Sequence, residues 1–233
     1  MKKFPKAHLW LILPFIIVFT GFYFSYWSKF TEAPFQHHLH GLTATAWYIL
    51  IIVQPYLYQK NNIKLHRKIG VIAVFLAGGL VFSALQIIPN NLTIETISES
   101  LRYSFVFADF IFIAGFSFSV IMAIIHKKNI DLHARYLIST VFWVMLPALS
   151  RLIYFPILIS HGFPTPISFQ QVVFIAGGLI LLVLAVLIFI DYKKEKKFYY
   201  PYVLVTGVNL FVLLTWNYIG HAEWWRTICH IVF

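Results

Sequence analysis

Long apolar runs separated by short polar stretches make up most of this chain. Each run has about 20 residues or more, which is the length that an α-helix needs to cross a bilayer core about 30 Å thick. The runs cover 8–28, 35–58, 69–88, 103–126, 132–159, 169–191 and 199–219. Because lipid cannot satisfy free backbone polar groups, helices are the natural structure for these runs. The pattern therefore predicts an all-α integral membrane protein, a bundle of seven helices.

The composition agrees with a chain that lies almost entirely in lipid. Of its 233 residues, 60% are hydrophobic and only 11% are charged, whereas a soluble domain carries about 25% charged residues. The runs leave almost no chain for a separate soluble domain, so we interpret 1–233 as a single transmembrane domain with its core at 35–159. The sequence also contains no phosphate loop, no nucleophile elbow and no dinucleotide fingerprint.

The basic residues are distributed unevenly between the two sides of the predicted bundle. Fourteen lysines and arginines lie in or beside the N-terminal segment and the connections after spans two, four and six, and three lie on the opposite side. This positive-inside pattern predicts a cytoplasmic N-terminus and a C-terminus outside. We therefore attribute the net charge of +10 to topology and lipid headgroups, and not to nucleic acid. The predicted location is a bacterial inner membrane.

A five-residue motif, Asn-Ile-x-Leu-His, occurs twice and ends at His66 and at His133. Both copies lie at the predicted cytoplasmic start of the second helix of a hairpin, the first formed by spans two and three and the second by spans four and five. An offset of 67 residues superimposes the two histidines and also superimposes Ser83 on Ser150. A duplicated two-helix hairpin would explain the recurrence, although only the asparagine and histidine matches carry weight, because isoleucine and leucine are abundant.

Histidines near the inner membrane face are candidate ligands. His66, His133 and His126, which ends the fourth run, could converge there and bind an ion such as zinc or iron. Alternatively, His66 and His133 could be the two axial ligands of a haem b. Basic residues placed for the haem propionates are Arg67, Lys68 and Arg135. The ordinary alternative is that each histidine binds lipid headgroups or a backbone carbonyl.

A second group of polar residues lies in the outer half. At 1.5 Å per residue, Asp109 is roughly 9 Å deep in the fourth run and Arg151 roughly 12 Å deep in the fifth. Ionisable residues in lipid normally face the bundle interior and pair. On the second run, His40, Trp47 and Gln54 recur at intervals of seven and share a face. These residues predict either a structural Asp–Arg pair or an outward-facing pocket, where Arg151 holds an acidic group, a haem propionate or a quinone carbonyl.

A set of short motifs resembles those of a widespread, uncharacterised family of bacterial multispan membrane proteins. The motifs are His40-Gly41, Trp47, Gln54, Leu65–Gly70 (LHRKIG), Leu132–Leu137 (LHARYL) and Arg151. This resemblance covers about 35–155 and implies family membership without a function. More loosely, a four-helix core with histidines near both membrane faces is similar to the di-haem b-type cytochromes that reduce ascorbate or iron.

Three functions remain open at this point. The favoured hypothesis is that the inner histidines bind haem b or a metal ion and that the protein acts in electron transfer or quinone-linked redox chemistry. The alternative is a small-molecule transporter, or a partner or assembly protein of a respiratory complex, that uses the outward-facing pocket. The third is a zinc-dependent membrane hydrolase, similar to the proteins related to adiponectin receptors, although their H-x-x-x-H pair is absent from this sequence.

Overall fold

The computed structural model describes residues 4–95 and 97–233, and the regular structure of this part of the chain is helical throughout. The elements are α1 (Ala7–Trp10), α2 (Ile12–Gly21), a 3₁₀-helix (Trp27–Glu32), α3 (Phe35–Gln59), α4 (Ile63–Leu92), α5 (Glu99–Ile125), α6 (Ile130–His161), α7 (Phe169–Glu195), α8 (Tyr200–His221) and α9 (Glu223–Val232). No strand occurs in the described ranges, and the predicted all-α class is confirmed for them.

Five helices, α4 to α8, are long and apolar enough to cross a membrane, as in a multipass membrane protein. Helix α3 has 25 residues but is less apolar than these five because it carries histidines and glutamines. The first predicted run, 8–28, is divided between α1, α2 and the start of the 3₁₀-helix. The count of seven spans, the orientation and the inner-membrane location stay predictions. Two of the basic residues behind the orientation, Lys2 and Lys3, lie outside the described residues.

The lateral surface of the bundle, which faces away from its interior, is unusually apolar. Phe75 on α4 is 77% exposed and Leu214 on α8 is 75% exposed, and many other large apolar side chains on the long helices are exposed. Soluble monomers rarely expose continuous apolar patches of this extent. Lipid chains would cover these side chains in a membrane, which agrees with the length and hydropathy of the helices.

Two helical hairpins form the centre of the bundle. Helix α3 packs on α4, α5 packs on α6, and the hairpins meet through α4 and α5. Helix α6 also contacts α2, α7 and α8, so it has neighbours on most of its circumference. Its buried residues accordingly include polar ones, among them Ser139, Thr140 and Ser150. This arrangement places α2 and the two hairpins around a common interior.

Each copy of the repeated motif begins with a helix cap. The side chain of Asn62 accepts a hydrogen bond from the N–H of Leu65, and that of Asn129 accepts from the N–H groups of Asp131 and Leu132. Such caps satisfy backbone donors of the first helical turn that have no partner inside the helix. The asparagine of the motif is therefore explained by helix initiation, and duplication of the hairpin stays a prediction.

Replacing Asn129 by alanine should lower the free energy of unfolding by about 0.5–2 kcal/mol, because two N–H groups lose their acceptor. Thermal denaturation of the detergent-solubilised protein measures the change. Asn129→Asp keeps an acceptor oxygen at the same position and should be close to wild type. Equal losses in the two variants would contradict the capping role.

Candidate functional site

A cavity of about 170 Å³ lies between α2, α3, α4, α5 and α6. Its polar lining residues are His40, Tyr48, Asn91, Asp109 and Arg151. Its apolar lining includes Val18, Phe22, Phe112, Phe116, Trp143 and Pro147. A cavity of about 150 Å³ lined by apolar side chains is known to bind benzene. We call this space the outer cavity, because it lies towards the end of the bundle that carries the α4–α5 connection, which is predicted to face outside.

Helical spacing explains which residues reach the outer cavity. On α3, His40, Ala44 and Tyr48 follow one another at intervals of four and line the cavity together, since residues four apart lie on the same face of a helix. On α6, Pro147 and Arg151 have the same spacing. The Nη1 of Arg151 donates to the carbonyl of Pro147 at 3.1 Å, which helps to fix the guanidinium beside the cavity.

The carboxylate of Asp109 and the guanidinium of Arg151 share the cavity without touching. Asn91 Nδ2 donates to Asp109 Oδ2 at 2.6 Å, and the guanidinium carbon of Arg151 lies 5.0 Å from the centre of the Phe22 ring. Within the described ranges no ion pair joins the two side chains, although each lies within electrostatic range of the other. A guanidinium has five N–H donors, so most of those of Arg151 remain available.

Two further polar side chains border the outer cavity. His40 Nδ1 lies 3.3 Å from Ser83 Oγ, and Ser83 Oγ lies 3.0 Å from Thr43 Oγ1. The buried hydroxyl of Tyr48 has no hydrogen-bond partner in the described part of the chain. Leaving such a group unsatisfied costs about 1–3 kcal/mol.

Trp47 and Gln54, the other two predicted pocket residues, do not line the outer cavity. Trp47 Nε1 donates to Thr140 Oγ1 at 3.2 Å, which ties α3 to α6. Gln54 Nε2 donates to the carbonyl of His66 at 3.3 Å, which ties α3 to α4. Gln54 is also about 21 Å from His40 along the axis of α3. The structure thus brings together His40, Asp109 and Arg151 and leaves these two outside.

Sequence reasoning missed Tyr48 and Asn91. Tyr48 lies eight residues after His40, so the four-residue spacing along α3 was a signal that could have found it. Asn91 lies near the end of α4, and nothing in its neighbourhood indicates that its amide binds the carboxylate of Asp109. Both residues become visible only once the helices are packed.

The two repeated histidines meet at the opposite end of the bundle. The ring centroids of His66 and His133 are 6.5 Å apart, and the ring planes are inclined by 71°. His66 Nδ1 lies 3.2 Å from the carbonyl oxygen of Gln54, and His133 Nδ1 lies 2.8 Å from that of Ala123. Because a carbonyl oxygen can only accept, both Nδ1 atoms donate, and in the neutral ring the Nε2 atom then keeps its lone pair. We call these two side chains the histidine pair.

His126 does not join the histidine pair. Its ring stacks on that of Tyr136, with centroids 5.8 Å apart and planes inclined by 7°. Across 4–95 and 97–233, no group of three or more His, Cys, Asp or Glu side chains is placed to hold a metal ion. The three-histidine site expected from the sequence is therefore not assembled in this part of the chain.

The two arginines expected at haem propionates have different surroundings. Arg135 is buried, and it donates from Nε and Nη2 to the two carboxylate oxygens of Asp191 at 2.6 and 2.7 Å. Its guanidinium also covers the Tyr199 ring at 3.5 Å. The Tyr199 hydroxyl donates to the carboxylate of Glu195. Arg135 thus already binds protein carboxylates, whereas Arg67 is exposed at the start of α4.

Comparisons with known proteins add no family to these observations. Models of protein families, curated proteins and solved structures were compared with the chain, and none of them matches. The resemblances suggested by the motifs within 35–155 therefore stay predictions. The outer cavity and the histidine pair, both formed by described residues, are the features from which we argue a function below.

Proposed function

We propose that this membrane protein binds a small amphipathic molecule in the outer cavity, with Arg151 as the side chain that binds its polar end. The molecule carries an acceptor, a carboxylate or a carbonyl, for Arg151 and an apolar ring or chain for the rest of the cavity. One observation carries the proposal: the acid Asp109 and the base Arg151 line the same cavity of about 170 Å³, and among the described residues no ion pair joins them.

The cost of burying charge is the physical reason. Ionisable side chains at membrane depth are rare and normally pair with one another, because an unpaired charge away from water is costly. Asp109 has one carboxylate oxygen bound to Asn91, and Arg151 has one N–H bound to a carbonyl. A ligand that accepts hydrogen bonds from Arg151 would satisfy its remaining donors, and Asn91 already donates to Asp109.

The apolar lining narrows the class of ligand. Phe112, Phe116 and Trp143 supply aromatic surface towards the middle of the helices, where a flat ring can pack. A quinone has such a ring and a carbonyl for Arg151, and a carboxylic acid with a short alkyl chain offers a stronger acceptor. A site between the outer end and the midplane suits a small-molecule transporter or a ligand-dependent partner protein. Among the functions considered above, this supports the outward-facing pocket.

The test uses two probes, a short-tailed benzoquinone and a medium-chain carboxylate, titrated calorimetrically into the detergent-solubilised full chain. We expect wild type to bind at least one of them. Arg151→Ala should weaken that binding by about 10- to 100-fold, because a hydrogen bond to a charged group contributes about 1.5–3 kcal/mol. Arg151→Lys keeps the positive charge but loses the planar array of N–H donors. Its affinity for the probe should therefore lie between those of wild type and Arg151→Ala.

Arg226→Ala is the matched control, because Arg226 lies at the same end of the bundle and does not line the outer cavity. Its affinity for the probe should equal that of wild type. Thermal unfolding of every variant separates a lost ligand contact from a lost fold. The proposal fails if wild type binds neither probe, or if a folded Arg151→Ala protein binds as tightly as wild type.

A further inference from the structure

The histidine pair has a geometry that its hairpin contacts do not explain. We propose that His66 and His133 bind one metal centre through their Nε2 atoms, as two ligands in trans positions. Ser83, which contacts the outer cavity residue His40, is about 25 Å from His66 along α4. The proposed centre is therefore separate from the outer cavity and does not depend on the ligand proposed there.

If both Nε2 atoms point at a shared ion, the distance between the two rings limits the geometry of the centre. With a metal–nitrogen bond of about 2.0 Å and a ring centroid about 1.1 Å behind the nitrogen, two imidazole centroids are roughly 6.2 Å apart in trans positions and roughly 5 Å apart at a tetrahedral angle. The centroids of His66 and His133 are 6.5 Å apart. The separation matches trans ligands within a few tenths of an ångström and is too long for a tetrahedral pair.

The hydrogen bonds of the rings leave the ligand atoms available. Histidines that bind metals almost always donate their other ring N–H to a carbonyl or carboxylate, which fixes the tautomer and the orientation of the ring. His66 and His133 have this arrangement with the carbonyls of Gln54 and Ala123. Neither Nε2 atom has a hydrogen-bond partner in the described part of the chain. Packing of the two helices within each hairpin explains the hydrogen bonds of the Nδ1 atoms. It does not explain why a histidine ring of one hairpin lies beside a histidine ring of the other.

The chemistry of a trans bis-imidazole site limits what it can hold. Imidazole is a good ligand for iron, copper, nickel and zinc. Two trans nitrogens are the axial ligands of a haem iron, and they also complete a linear, two-coordinate monovalent copper ion. Zinc prefers four tetrahedral ligands, and within 4–95 and 97–233 no third His, Cys, Asp or Glu side chain is placed with the pair to hold a metal ion. The ligand of this site is thus a metal that binds two imidazoles on opposite sides. The metal is either the iron of a haem or a free ion.

Absorption and metal binding distinguish these two sources. The full chain is purified in detergent after expression with added haem precursor, and oxidised and reduced spectra are recorded for a Soret band. Protein without haem is then titrated with monovalent copper under reducing conditions against a competing chelator. We expect either a Soret band that shifts on reduction or one tightly bound copper ion per chain. A protein that shows neither overturns the proposal.

Asparagine variants test the pair itself, because an asparagine amide can still donate to a carbonyl but is a poor metal ligand. His66→Asn and His133→Asn should each weaken binding of the haem or the copper ion by at least about tenfold, and the double variant should be little worse than either single one. His126→Ala is the control and should bind as wild type, since His126 stacks on Tyr136 away from the pair. Binding that survives in the double variant would show that the centre lies elsewhere and overturns the assignment.

Discussion

Replacing Arg135 by alanine is expected to lower the free energy of unfolding by about 3–5 kcal/mol, the usual loss when one partner of a buried ion pair is removed. Arg135 is 1% exposed and holds the carboxylate of Asp191 with two hydrogen bonds. Its Nη1 also donates to the carbonyl of Asp131 at 3.1 Å. Without the guanidinium, the Asp191 carboxylate, itself only 13% exposed, loses its main partner.

Thermal denaturation in detergent measures this loss of stability. Three further variants test whether it comes from the broken ion pair. Arg135→Lys keeps the charge but loses the two-pronged geometry and the stacking on Tyr199, so its stability should be intermediate. Asp191→Asn in the Arg135→Ala background removes the unpaired carboxylate and should recover part of the loss. Arg67→Ala, at an exposed position on the same end of the bundle, should change stability by no more than about 0.5 kcal/mol. An Arg135→Ala protein as stable as wild type would contradict the buried pair.

Arg135 also shows where sequence reasoning ends. Its position beside a predicted membrane interface agrees with a lipid headgroup, a haem propionate or a protein carboxylate as partner. The choice of Asp191 depends on α7 packing against α6, and those residues are 56 positions apart in the chain. Hydropathy predicts where helices begin and end, as the run 132–159 against the observed Ile130–His161 shows. It carries no information on which helices become neighbours.

Part of the lining of the outer cavity, in contrast, could be predicted from the sequence. Depth along a helix follows from the residue count, and costly intramembrane charges turn towards the interior, so Asp109 and Arg151 were expected near each other. The structure places both on one cavity with His40. Spacing alone misled for Gln54, because an interval of seven keeps residues on one face while carrying them about 10 Å along the axis.

The repeated Asn-Ile-x-Leu-His motif shows that one pattern can have two explanations. Its asparagines cap α4 and α6, and its histidines bond to the preceding helix of each hairpin. These local roles are sufficient to explain why the motif occurs twice. The contact between the two histidine rings is a separate feature of the tertiary structure. The metal-binding experiments test whether the two rings bind a metal centre.

A methyl group added at Gly21 is expected to destabilise the bundle strongly, because α2 and α6 touch there through their backbones. A Cβ atom on Gly21 would lie 2.2 Å from the carbonyl oxygen of Ala148 and 2.9 Å from its carbonyl carbon. Small residues allow helices in membranes to approach this closely. Overpacking typically costs about 1–3 kcal/mol, and here backbone must move. Gly21 lies next to Phe22, which lines the outer cavity, so Gly21→Ala should also weaken probe binding.

Two other glycines provide graded controls for this prediction. A Cβ on Gly177 would lie 2.6 Å from Leu213 Cδ1, the end of a flexible side chain that can rotate away, so Gly177→Ala should have a smaller effect. A Cβ on Gly78 would meet nothing within 4 Å, and Gly78→Ala should be neutral or stabilise by up to about 1 kcal/mol through helix propensity. Thermal denaturation should therefore rank the variants with Gly21→Ala lowest and Gly78→Ala highest. If Gly21→Ala and Gly78→Ala unfold at the same temperature, α2 does not lie against α6 in this way, and the wall of the outer cavity that contains Val18 and Phe22 would have to be placed differently.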